Sequence, residues 1–116
     1  MKFTAVVVIA PDDLEDMVIE RAQSAGAAGV TILAGKGIGG ETKRTFFGLT
    51  FEGSQSVLLM IVGQHLATPI LKTVHDVLVD GASSRGLAFS LPLEHLTGID
   101  THQVARFEEH MRRDGF

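Results

Sequence analysis

"AGVTILAGKGIGGETKRTFFGLTF", residues 28–51, holds the choice between two fold classes. Its first part, 28–34, is an apolar run that reads as a strand. Gly35, Gly37 and Gly40 then satisfy the G-x-G-x-x-G spacing of a dinucleotide-binding turn. That turn needs a helix directly after it, because the pyrophosphate sits on the helix N-terminus. The next residues, "ETKRTFFGLTF", have strand character instead, so the dinucleotide reading fails on context. A Walker A loop fails too: five residues separate Gly29 from Gly35, and Lys36 is followed by glycine. Strand followed by strand at this point sets the fold.

Working outward, "FTAVVVIA" at 3–10 reads as an opening strand and "PDDLEDMVIERAQSAG" as a helix. Pro11, Asp12, Asp13 and Glu15 suit a first turn, Leu14, Met17, Val18, Arg21, Ala22 and Ala25 mark one face, and Gly26 lies just past the end. Thr45–Phe51 and Gln55–Val62 flank "EGS" and read as a hairpin. Thr68 and Pro69 then look like the N-cap and first position of a second helix carrying Ile70, Val74, Val77 and Leu78, with Gly81 beyond its end. "GLAFSLPL", 86–93, is the last main strand. Asp100 and Gln103 have capping-box spacing ahead of a tail helix over about 101–113. The order strand, helix, strand, strand, helix, strand is that of an α+β, ferredoxin-like split βαβ domain. Right-handed crossovers put both helices on one face of its antiparallel sheet. Residues 1–99 are expected to form this domain, and 100–116 a helical extension of it.

An antiparallel sheet with one wet face alternates apolar and polar residues. "AVVVIA", "VTILA" and "VLLMIV" do not, so the face away from the helices needs a cover. A second copy of the chain is the simplest one, and a homo-oligomer is expected. With 116 residues, 45% apolar and 21% charged, the chain suits one globular domain. It has no cysteine, which excludes disulfides and thiolate metal sites. A net charge of −4 without a basic run argues against a nucleic-acid surface. The N-terminal apolar run is too short for a signal peptide or a membrane span, so a cytoplasmic protein without membrane insertion is expected.

One further stretch offers chemistry. "DGASSRG", 80–86, joins the second helix to the last strand with serine hydroxyls and one guanidinium, Arg85. Such a loop can cradle an anion. It also serves as a plain helix C-cap and turn. The five histidines show no metal-ligand spacing, and the acids at 12–16 suit a helix start. No nucleophile stands beside a base, so no enzyme is expected.

"GKGIG" at 35–39 and "GLAFSLPLEHLTGI" at 86–99, in this order and spacing, resemble the PII-type signal-transduction proteins. The resemblance runs from residue 3 to 99. It implies a homotrimer of ferredoxin-like subunits with adenine nucleotide (ATP, ADP or AMP) as effector in the clefts between subunits. It also implies a mobile loop that reports occupancy to a regulated partner protein. Carried over by position, Thr31, Gly37, Ile38, Gly39 and Ile61 would line the loop base and nucleoside side. Gly81, Ser84, Arg85 and Gly86 would lie near phosphates.

Departures from the pattern are specific. The loop from Gly40 to about Gly48 is short, and the chain has no tyrosine to be uridylylated. Leu87, Gly98 and Asp100 stand at positions that are usually cationic in the family. This is similar to short-loop PII-like proteins, some of them associated with membrane transporters or inorganic-carbon handling, which makes a transporter one candidate partner. Two other classes fit the same architecture: a trimeric divalent-metal-binding protein of the cation-tolerance type, and a structural oligomer with an empty cleft.

Overall fold

β1 (Phe3–Pro11) runs through the interior of a four-stranded antiparallel sheet in a computed structural model, which describes residues 2–36, 45–46, 49–50 and 54–98. After β1 come a 3-10 turn (Asp12–Leu14), α1 (Glu15–Ser24) and β2 (Thr31–Lys36). Two short strands, β3 (Thr45–Phe46) and β4 (Leu49–Thr50), pair with each other. The chain continues through β5 (Ser54–Gly63), α2 (Gln64–Leu78), the two-residue strands β6 (Val79–Asp80) and β7 (Ser83–Ser84), and β8 (Leu87–Pro92). The main sheet has the order β2-β5-β1-β8. This is the ferredoxin-like arrangement, α+β as the element order predicts.

Strand register sorts the side chains. Val6, Val8 and Ala10 of β1 share a face with Leu58, Met60 and Val62 of β5, and all are buried against Val18 and Ala22 of α1 and Leu66, Ile70, Val74 and Leu78 of α2. Both helices therefore cover one face. The other face carries Val7 and Ile9 of β1, Val57, Leu59 and Ile61 of β5, Leu33 of β2, and Leu87, Phe89 and Leu91 of β8. Leu33 is 51% exposed, Phe89 39% and Leu91 53%. A face this rich in apolar residues and this open is the feature expected from the non-alternating strands.

Two expectations are corrected. Among the described residues, β5 does not pair with 45–46 or 49–50 as the expected hairpin would. Over residues 55–59 one of its edges is hydrogen-bonded to β2 (Thr31↔Leu59, Leu33↔Val57) and the other to β1, so no edge remains there for a third partner. α2 begins at Gln64, not at Thr68, and Pro69 lies inside it. An interior proline removes one helical bond and crowds the preceding turn. The apolar stripe decides the matter: Leu66, Ile70, Val74 and Leu78 recur every four residues, and Leu66 and Ala67 are buried before the proline is reached. Gln64 N–H, one of the unpaired donors of the first turn, donates to the Lys2 carbonyl at 2.9 Å.

The predicted stop at Gly26 holds. Gly26 (φ 115°) closes α1 with Gly26 N–H donating to Gln23 O and Ala27 N–H to Ala22 O, both at 3.0 Å, the Schellman pattern. The expected tail helix over 101–113 lies outside the described residues. Among the described residues, no helix is long and apolar enough to cross a membrane.

Candidate functional site

The loop "DGASSRG" is a tight hairpin. Val79 pairs with Ser84 and Asp80 with Ser83, leaving Gly81 and Ala82 at the tip. Gly81 has φ 61°, a conformation a Cβ disfavours by about 1–2 kcal/mol. Arg85 N–H donates to the Leu78 carbonyl at 2.9 Å, tying the hairpin to the end of α2. Ser84 Oγ donates to the Gly86 carbonyl at 3.1 Å. The backbone is thus built to hold Arg85 at a defined place.

Packing alone requires a glycine at position 86. A Cβ there would stand 2.5 Å from the Ile9 carbonyl oxygen, 3.0 Å from Leu78 Cδ2 and 3.1 Å from Ala10 Cβ. The glycine lets the chain enter β8 pressed against β1. Its lack of a side chain serves packing, whatever it does for a ligand.

A cleft of about 610 Å³ opens beside the hairpin, lined by Pro11, Asp12, Asp13, Ser54, Ser83, Ser84 and Arg85. Arg85 Nη2 donates to both carboxylate oxygens of Asp13, at 2.9 and 2.8 Å. The two side chains are 44% and 62% exposed, so water screens the pair, and its net worth is about 0.2–1 kcal/mol. Two neighbouring acids, Asp12 and Glu15, take a serine hydroxyl as partner instead. Ser56 Oγ, on a residue 2% exposed, lies 2.8 Å from Asp12 Oδ1 and 2.8 Å from Glu15 Oε1, its one proton shared between two acceptors. The acids of the first turn thus have individual partners, beyond a general fit to the helix dipole.

The predicted ligand residues divide into three groups. Gly81, Ser84, Arg85 and Gly86 come together at the hairpin, and Ser84 and Arg85 line the cleft. Thr31 and Ile61 lie on the open face of the sheet, away from it. Gln55 pairs with Pro11 at the cleft end of β5; Thr31 pairs with Leu59, and Ile61 stands six residues along from Gln55. At about 3.4 Å per residue these are roughly 13 and 20 Å from the cleft end. One copy of the chain does not gather all six. Gly37, Ile38 and Gly39 lie outside the described residues. Of the positions usually cationic in PII proteins, Leu87 pairs with Ile9 in the sheet, Gly98 has φ 90°, and Asp100 is outside the described residues.

Pro11, Asp12, Asp13 and Ser54 are cleft residues that lie outside the loop motif. Asp13 and Arg85 are 72 positions apart, and no local spacing joins them. Register could have pointed to the contact: β8 enters the sheet opposite Ile9, just ahead of the acidic turn. Among the described residues, no group of three His, Asp or Glu side chains is arranged to hold a metal ion.

The family model for nitrogen regulatory protein P-II matches residues 3–103. No curated protein matches the chain. Among solved structures, a PII-like signalling protein from Thermus thermophilus is similar at 24% identity and TM-score 0.61, over 80% of this chain and 88% of that one. The B. subtilis GlnK–ATP complex gives 13% identity and TM-score 0.63, over 80% and 85%. CPII from Thiomonas intermedia K12, bound to ADP, AMP and acetate, gives 14% and 0.59, over 81% and 90%. At these identities the structures establish a shared fold.

Proposed function

From the premise that this chain belongs to the nitrogen regulatory protein P-II family, we propose that it is a non-enzymatic, homotrimeric sensor of an adenine nucleotide. The ligand binds in clefts at the seams between copies, with phosphates beside Arg85 and Ser84. Its occupancy is relayed to a partner protein through residues 40–48. The observation that carries this reading is the cleft itself: a hairpin presents one guanidinium and serine hydroxyls, the groups a phosphate takes up. The separation of Thr31 and Ile61 from that cleft supports a site assembled from more than one copy. The open apolar face supplies the surface for assembly. Nucleotides in the CPII and GlnK structures make ADP, AMP and ATP the first ligands to try.

Thermal unfolding with each nucleotide tests the proposal. Ligand at a hundredfold excess over Kd stabilises the folded form by roughly 2.7 kcal/mol, an upward Tm shift of several degrees. Arg85→Ala removes a charge-assisted contact worth about 1.5–3 kcal/mol, which weakens binding about 10- to 100-fold. An unchanged Tm with ATP, ADP and AMP would contradict the nucleotide reading.

A further inference from the structure

We propose that Asp13 is a built-in competitor for the anion site: in the ligand-free protein its carboxylate neutralises Arg85, and an incoming phosphate must take the guanidinium from it. The inference rests on the nucleotide reading and deepens it by naming what sets the affinity.

Three observations converge on it. Both Asp13 oxygens lie against Arg85 Nη2, at 2.9 and 2.8 Å, the way a phosphate would present two oxygens. The cleft lining contains two carboxylates, Asp12 and Asp13, and one guanidinium, so with Asp13 in place the lining is net negative and repels an anion. Asp13 is also free to leave. Asp12 and Glu15 are held by the buried Ser56 hydroxyl, whereas Asp13 bonds only to Arg85 among the described residues, and its side chain is 62% exposed. A ligand with a multiply charged phosphate outbids one carboxylate for Arg85; a singly charged anion such as acetate or bicarbonate gains little over what is already there. The latch thereby sets a threshold and a preference.

Isothermal titration of ADP into the wild type, Asp13→Asn, Asp16→Asn, Arg85→Ala and the Asp13→Asn/Arg85→Ala double variant tests the proposal. Asp13→Asn keeps the shape and deletes the charge, and it is expected to bind ADP about two- to fivefold more tightly. Asp16 is exposed and does not line the cleft, so Asp16→Asn removes the same charge and is expected to change affinity less than about twofold. In the Arg85→Ala background most of the Asp13→Asn gain disappears, because nothing is left to release. ADP binding by the wild type that Asp13→Asn leaves equal or weakens would overturn the latch and leave the nucleotide reading standing. An undiminished gain in the Arg85→Ala background would overturn it too, in favour of simple repulsion. Binding by Asp13→Asn alone would support the latch in a tight form. No binding of ADP, or of ATP or AMP titrated in its place, by any variant would remove the nucleotide reading and the latch with it.

Discussion

Gly86→Ala is expected to lower the free energy of unfolding by about 3 kcal/mol, the upper part of the range for overpacking a tight site. The reason is the identity of the atom in the way. A Cβ would meet the Ile9 carbonyl oxygen at 2.5 Å, and that oxygen belongs to the backbone of an interior strand paired on both sides. A flexible side chain could swing aside; β1 cannot move without shearing its bonds to β5 and β8. Leu78 Cδ2 and Ala10 Cβ close the remaining directions. Urea unfolding followed by far-UV circular dichroism measures the loss. An unchanged midpoint would mean that β8 does not enter the sheet pressed against Ile9. Because Arg85 precedes Gly86 directly, nucleotide affinity is expected to fall with stability.

Phe89→Asp is expected to convert the proposed trimer into folded monomers at micromolar concentration. Phe89 sits in a row with Val7 and Leu59 on the open face and is already 39% exposed in one copy, so a carboxylate there is tolerated by the single chain. In an assembly the same carboxylate would be taken out of water with no partner, at about 3–5 kcal/mol per seam. That corresponds to roughly a hundredfold to several thousandfold weaker association at each contact. Size-exclusion chromatography with light scattering reads the change, and circular dichroism confirms that the fold persists. A variant that elutes like the wild type would place the seam elsewhere.

Fold and site differed in how far they could be read from the residues. The class rested on one local decision, the strand character after Gly40, and on strands such as "AVVVIA" that are apolar on both alternating sets. Both are short-range patterns, and both predict what the sheet shows. Partners across the sheet were harder. "EGS" looks like hairpin chemistry, yet β5 pairs with β2 and β1, because burying Leu58, Met60 and Val62 under the helices outweighs a local turn preference. The start of α2 was misplaced for a similar reason. Thr68-Pro69 is a good local start, but the buried stripe begins at Leu66. At the site, Ser84 and Arg85 were legible as a polar loop with a cation. The Asp13–Arg85 contact was not, since it forms only when two strands far apart in the chain end side by side.

Assembly through the open apolar face is the claim on which the shared cleft depends, and sedimentation equilibrium of the ligand-free protein tests it most directly. The expected result is a single species of three copies of the 12.4 kDa chain, about 37 kDa, at micromolar concentration. A stable, fully folded 12.4 kDa monomer under the same conditions would contradict it.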